Sequence, residues 1–215
     1  MSKAEAREGK KEGNASAEKI LQAAKELFAE RGFAAVSVRD ISERAGVNKA
    51  LLFYYFDTKA GLLHRILEQY YQAHAAALAP PASEGSTRVR MHALVTSYLD
   101  FMEDHHPYLQ IVQHELQSNT EGLSMLRSGM RLLFTRVEEL LGPITSDGHL
   151  HVRQFYISFA GLVITYFNYA PVLDVIWEGD PLSASNRRER RQHLHWMVDR
   201  ILDGLQTCNP DQDIG

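Results

Sequence analysis

The chain has 215 residues, 45% of them hydrophobic, and a formal net charge of −4, which is enough apolar material for one large domain or two small ones with real cores. Its single cysteine, Cys208, excludes an internal disulfide and a cysteine-rich zinc site, and its polar, charged N-terminus holds no apolar signal region, so a cytoplasmic protein is expected. The charge is uneven: residues 1–65 carry twelve Lys/Arg against nine Asp/Glu, the remainder eleven against eighteen, so a polyanionic partner fits the front end better.

Residues 1–15, MSKAEAREGKKEGNA, lack apolar periodicity and read as a flexible arm. From Ser16, a capping residue, Ile20, Leu21, Ala24, Leu27 and Phe28 recur at three- and four-residue steps and predict a helix that ends at ERGF, with Gly32 suited to a left-handed position. Ser37 caps a short helix through Arg44, another spans Asn48 to Tyr55, and Thr58 caps a longer one toward Ala79, where PPASEGS breaks it. Further helices are predicted near 87–104, 107–119, 122–141, 149–170 and 184–206. No β-alternation of useful length and no repeat is visible, so the fold class is all-α with about nine helices.

The stretch DISERAGVNKALLFYYF has helix-turn-helix spacing. Ala45 is small where two helices cross, Gly46 supplies the turn, Val47 is an apolar plug and Asn48 a good N-cap. At about 100° per residue, Leu51, Leu52 and Tyr55 share one face of the second helix, and Lys49, Ala50, Phe53 and Tyr54 share the other. That outer face suits a DNA major groove. Lys49 can donate to guanine or phosphate, Ala50 permits close approach and touches a thymine methyl, and the Tyr54 hydroxyl can reach a phosphate. A plain packing helix with Phe53 and Tyr54 in the core is the alternative.

From Ile20 to about Leu67 the sequence resembles the TetR family of bacterial transcriptional regulators. The resemblance rests on an apolar first helix ending in Gly32-Phe33, on Ser37 to Ile41, Ala45 to Asn48 and Leu52 to Phe56, and on Lys59 with Leu62. It implies an N-terminal helix-turn-helix domain followed by a larger helical ligand-binding and dimerisation domain. The positions it assigns to DNA are Ser37, Arg39, Asn48, Lys49, Ala50, Phe53, Tyr54, Tyr55 and Lys59, with Lys59 beside the backbone. Ile41, Ala45, Val47, Leu52 and Phe56 look like the small core of the motif. Two residues depart from the family: Phe53 lacks the usual tyrosine hydroxyl, and Leu51 replaces a small or hydroxylated residue.

The layout implied is an arm (1–15), a DNA-binding domain (16–62), an effector-binding and dimerisation domain (63–207) and a polar tail (208–215). Dimerisation is expected through 149–170 and 184–206. The apolar run FYISFAGLVITYFNYAPVL reads as a buried helix rather than a membrane span, with Gly161 permitting close approach. A twofold dimer would set two recognition helices about 34–36 Å apart on a palindromic operator. The resemblance also implies a small-molecule effector pocket, with Phe101, Tyr108, Val112, Met125, Phe134, Tyr166 and Phe167 as candidate wall residues. No cofactor and no metal is expected: His149 and His151 do not share a helix face, and the histidines read as solvated or capping. NRRERR (186–191) reads as a solvated basic face pairing with Glu178 and Asp180.

The function expected is that of a sequence-specific DNA-binding regulator, a repressor released from a palindromic operator by a small molecule. Two alternatives stand beside it. One is an effector-independent or architectural DNA-binding protein. The other is a helical enzyme, against which the chain has no G-x-S-x-G, no phosphate-cradling glycine loop, no HExxH and no cysteine pair.

Overall fold

A computed structural model of the chain describes residues 3–78, 86–118, 121–141 and 151–208. Over these residues the chain forms nine α-helices and no strand: α1 (Lys3–Arg31), α2 (Val38–Ala45), α3 (Lys49–Phe56), α4 (Lys59–Ala77), α5 (Thr87–His105), α6 (Pro107–Ser118), α7 (Glu121–Leu141), α8 (Val152–Trp177) and α9 (Ala184–Cys208). They fall into two compact units, one of residues 1–71 and 107–130, the other of 72–106 and 131–215.

The first unit is held by most of the α1 stripe read from the sequence, with Leu21 only half-buried and Ala23 buried in addition. Ile20, Ala23, Ala24, Leu27 and Phe28 of α1 are buried, as are Leu62, Leu63, Ile66, Leu67, Tyr70 and Tyr71 of α4. From α6, Leu109 and Ile111 are buried, and Tyr108 stacks on Tyr70 with ring centroids 4.8 Å apart. Fully burying an aliphatic side chain is worth about 1.5–3 kcal/mol, so these stripes fix how α1, α4 and α6 pack. The expected flexible arm differs: α1 already begins at Lys3. A missing apolar periodicity excludes a buried face but not a helix, and Ala, Glu, Lys and Arg are strong helix formers.

In the second unit α5 packs against α8 and α9, burying Met91, Val95, Tyr98, Leu99 and Met102 of α5, Val163, Tyr166 and Phe167 of α8, and Leu194, Val198 and Leu202 of α9. Charged pairs surround this contact. Arg187 reaches Glu103 at 3.2 Å, Arg191 reaches Asp100 and Glu103 at 2.7 Å each, and Arg88 reaches Asp199 and Asp203. Arg190 donates to the Leu162 carbonyl at 2.7 Å and lies over the Tyr166 ring. The basic run is therefore only partly a solvated face: Arg188 and Glu189 are exposed, while Arg187, Arg190 and Arg191 are half-buried. Positions 187, 190 and 191 share one side of a helix, with Arg187 and Arg191 turned onto the acids of α5 and Arg190 onto α8 rather than toward Glu178 and Asp180.

One boundary is also corrected. α8 runs through Pro171 to Trp177, well past residue 170. A proline costs the amide at its own position and strains the preceding turn, but it does not stop a helix whose later residues are anchored. Here Trp177 meets the Tyr166 ring edge-on at 5.8 Å, and the Tyr166 hydroxyl donates to the Pro181 carbonyl. By length and composition α8 is also long and apolar enough to cross a membrane. Its C-terminal half leaves Tyr169, Val172, Val175 and Ile176 exposed, with Val175 at 81%. Among the described residues no atom outside the glycine's own stretch of helix comes within 4 Å of where a Gly161 side chain would begin, so that glycine serves no close approach among them.

Candidate nucleic-acid interface

The turn between α2 and α3 is built by four local devices. Ser37 starts α2 with a reciprocal capping box: the Asp40 amide donates to Ser37 Oγ at 3.1 Å, and the Ser37 amide donates to the Asp40 carboxylate at 2.7 Å. The Ser37 hydroxyl, donating to the Asp40 carboxylate at 2.6 Å, and the Ser37 amide hold that carboxyl below the ordinary aspartate range. Gly46 ends α2 at φ 67°, where a side chain would be strained, and its amide closes onto the carbonyls of Glu43 and Ser42. Asn48 then opens α3, its side chain accepting from the Leu51 amide at 2.8 Å. At the far end, Gly61 lets α4 start directly against α3: a Cβ there would stand 2.4 Å from the Phe56 carbonyl oxygen.

These devices fix which way α3 faces. Leu52 is completely buried, whereas Leu51 and Tyr55 are half-buried. Lys49 and Ala50 are exposed, Phe53 is 46% exposed and Tyr54 76% exposed. An apolar ring left three-quarters in water is not core, so the packing-helix alternative fails for Tyr54. The Tyr54 ring stands edge-on to Tyr55 at 5.0 Å, which sets its direction. Beside this face Arg39 projects from α2, its guanidinium held by Glu43 at 2.7 Å and its side chain 73% exposed. That pairing raises the Arg39 pKa. Ser37, Arg39, Asn48, Lys49, Ala50, Phe53, Tyr54 and Tyr55 thus lie on or beside one short two-helix element.

Lys59 stands apart from them. Its ammonium donates to the carbonyls of Phe33 and Val36, both at 2.8 Å, and sits 4.1 Å above the Phe33 ring. Burial lowers its pKa, and the Glu115 carboxylate nearby opposes that shift. The side chain is turned onto the loop that precedes Ser37. Spacing alone cannot reveal this, because the two carbonyls lie more than twenty residues away in sequence.

The seven candidate wall residues are divided between the two units. Tyr108, Val112 and Met125 belong to the first unit, where Met125 borders an open groove of about 730 Å³ along α1 and the start of α4. In the second unit, Phe134 meets Tyr156 at 5.9 Å, and Tyr166 and Phe167 border a void of about 10 Å³ beside Arg187 and Arg190. Phe101 is buried in a stack with His74 at 4.6 Å and His105 at 4.2 Å. A different cavity of about 40 Å³ lies in this unit, lined by His74, Leu78, Val95, Tyr98, Tyr156 and Phe159 among others. His74 carried a readable signal, since it follows Leu67, Tyr70 and Tyr71 on the same helix stripe.

Among the described residues no group of three or more side chains is arranged to hold a metal. His151 caps α8, accepting from the Arg153 amide at 3.2 Å, while His149 lies outside the described residues. A polar cluster was missed in the sequence. His92 and His195 approach through their Nδ1 atoms at 2.7 Å, and His92 Nε2 lies 2.9 Å from Asp199. That bond holds Asp199 below its ordinary range, and burial lowers the pKa of His195.

Comparison with known proteins places this geometry. Residues 20–66 match the family model for bacterial regulatory proteins of the tetR family. The chain is 28% identical over 131 residues to the probable HTH-type transcriptional regulator YttP of Bacillus subtilis, covering 61% of this chain and 63% of that one. It is 31% identical over 99 residues to the HTH-type transcriptional repressor KstR2 of Rhodococcus jostii, covering 46% and 48%. These alignments span less than two thirds of either relative. The fold is similar to that of the transcriptional regulator FadR from Bacillus subtilis, solved in complex with stearoyl-CoA, with a TM-score of 0.60 at 18% identity over 82% of this chain and 96% of that one.

Proposed function

Because this chain belongs to the TetR family of bacterial regulatory proteins, we propose that it is a sequence-specific DNA-binding transcriptional regulator, a repressor released from a palindromic operator by a small molecule. The observation that carries this reading is the exposed outer face of α3. Lys49, Ala50, Phe53 and Tyr54 are presented together while Leu52 pins the helix from behind. Lys49 reads a base edge or a phosphate, Ala50 allows the helix to approach, and Tyr54 donates to a phosphate. Ser37, Arg39, Asn48 and Tyr55 border the same surface. With few polar groups on α3, specificity leans on Lys49, on thymine-methyl contacts and on DNA shape.

The protein works as a cytoplasmic homodimer. The exposed apolar positions of α8 (Tyr169, Val172, Val175 and Ile176), together with Trp196 on α9, supply the contact surface. The second unit holds the effector. A ligand that prefers one setting of the reading domain shifts the population toward it, and by linkage DNA weakens that ligand equally. α4 transmits the change, since its residues belong to both units.

Selection of preferred duplexes from a random library tests the reading, followed by gel shifts with Lys49→Ala and Tyr54→Ala. Both variants are expected to lose operator affinity at least tenfold while remaining folded dimers. Undiminished affinity in both refutes the assignment of α3 to DNA.

A further inference from the structure

We infer that the cavity of the second unit takes an uncharged, hydrocarbon-rich ligand with at most one polar group, and rejects an ionised carboxylate. The inference rests on the ligand-responsive reading above and narrows it to a chemical class.

The lining carries it. Among the described residues twelve border the cavity, and none of these is Asp, Glu, Lys or Arg. Leu78, Met91, Leu94, Val95, Val137, Leu141 and Ala160 are aliphatic or thioether walls, and Phe155 and Phe159 add aromatic surface. Among the described lining residues, the polar side chains are His74, Tyr98 and Tyr156. These groups offer hydrogen bonds and no charge. Burial pushes the His74 imidazole down to about 3, with His105 adding to the effect, and burial pushes the Tyr156 phenol up to about 12. Neither ionises anywhere near neutral pH.

An anionic ligand would need a cation, and among the described residues none lines this cavity; the inward arginines of α9 border a separate void. Arg187 and Arg191 hold Glu103, Arg191 also holds Asp100, and Arg190 holds the Leu162 carbonyl. Recruiting one would strip the half-buried Glu103 or the Leu162 carbonyl of a partner. A carboxylate placed in the cavity would remain an uncompensated buried charge, the costliest arrangement a protein interior can hold. A hydroxyl or carbonyl, by contrast, can find His74 or a tyrosine as its single polar partner, the usual design of a pocket that binds apolar molecules.

The cavity of about 40 Å³ is room for roughly one water, so an occupant must move part of the wall. The stacked pair Phe155 and Phe159, with centroids 5.8 Å apart, is only half-buried and forms the part of the wall with room to swing.

The test compares 1-octanol with octanoate at pH 7.5, by calorimetric titration of the full chain and by operator release in the same buffer. Octanol is expected to bind at least tenfold more tightly than octanoate. Val95→Phe and Ala160→Leu both fill the cavity and are expected to abolish octanol binding; two variants are used so that one misfolded protein does not decide the matter. Octanoate binding as tightly as octanol overturns the inference, and so does binding of neither probe. Octanol binding that survives in a folded filling variant also overturns it. Octanol that binds the cavity without altering operator affinity upholds the ligand class and instead refutes effector release. Failure of the wild-type chain to select any duplex refutes the regulatory reading independently of both probes.

Discussion

Replacing Lys59 with methionine separates two roles that look alike in an affinity measurement. A lysine at the start of α4 that touches the DNA backbone releases condensed counterions on binding. Each lost phosphate contact lowers the slope of log affinity against log salt by about 0.9, so a dimer losing two contacts would lose about 1.8. The structure leads to a different expectation. The Lys59 ammonium already spends two donors on the Phe33 and Val36 carbonyls at 2.8 Å and faces the Phe33 ring at 4.1 Å. It clasps the loop whose next residue, Ser37, caps α2.

Lys59→Met keeps the apolar stem and removes both hydrogen bonds. Bonds to charged groups are worth about 1.5–3 kcal/mol each, and partial exposure reduces this, so about 1–3 kcal/mol of stability should be lost per protomer. Operator affinity should fall because α2 and α3 are less firmly set, while the salt slope stays that of the wild type. Fluorescence anisotropy on the selected duplex between about 50 and 200 mM KCl reads both quantities. A slope smaller by nearly two, with an unchanged urea midpoint, would show that Lys59 contacts phosphate and that the loop clasp is wrong.

Three further outcomes are expected. Gly61→Ala would put a Cβ 2.4 Å from a backbone carbonyl that cannot rotate away, so about 1–3 kcal/mol of stability should be lost along with operator binding; a variant that melts and binds like the wild type would refute the close approach. His74 binds its proton less well folded than unfolded, its pKa being down to about 3, so its contribution is complete above about pH 6.5 and is lost as pH falls toward 3. At pH 5 that loss is about 2 kcal/mol, and His74→Phe should remove it; urea midpoints at pH 7.5 and 5.0 that shift equally in both proteins would contradict this. Val172→Glu with Ile176→Glu should turn the dimer monomeric by light scattering and weaken binding to a palindrome far more than to a half-site; a stable dimeric double variant would move the interface away from the end of α8.

What was legible in the sequence was local. The caps at Ser37 and Asn48, the left-handed Gly46 and the outward Lys49, Ala50, Phe53 and Tyr54 each depend on neighbours within about four residues, the range over which helix rules act. What stayed hidden depends on partners far along the chain. Arg187, Arg190 and Arg191 look like a solvated run until Glu103, Asp100 and the Leu162 carbonyl appear opposite them. The aromatic wall candidates share only their hydrophobicity, and that property fills a core as readily as it lines a pocket. Pro171 shows how a correct local rule can be outweighed: proline disfavours a helix interior, yet α8 continues because Tyr166, Pro181 and Trp177 tie its far end down. The same reasoning separates the two lysines. Among the described residues Lys49 has no internal partner competing for its ammonium, and it sits on an exposed turn, whereas the Lys59 charge is drawn inward by two carbonyls and a ring. A motif match assigns both to DNA. Only the geometry distinguishes the residue that reads from the residue that holds the reader in place.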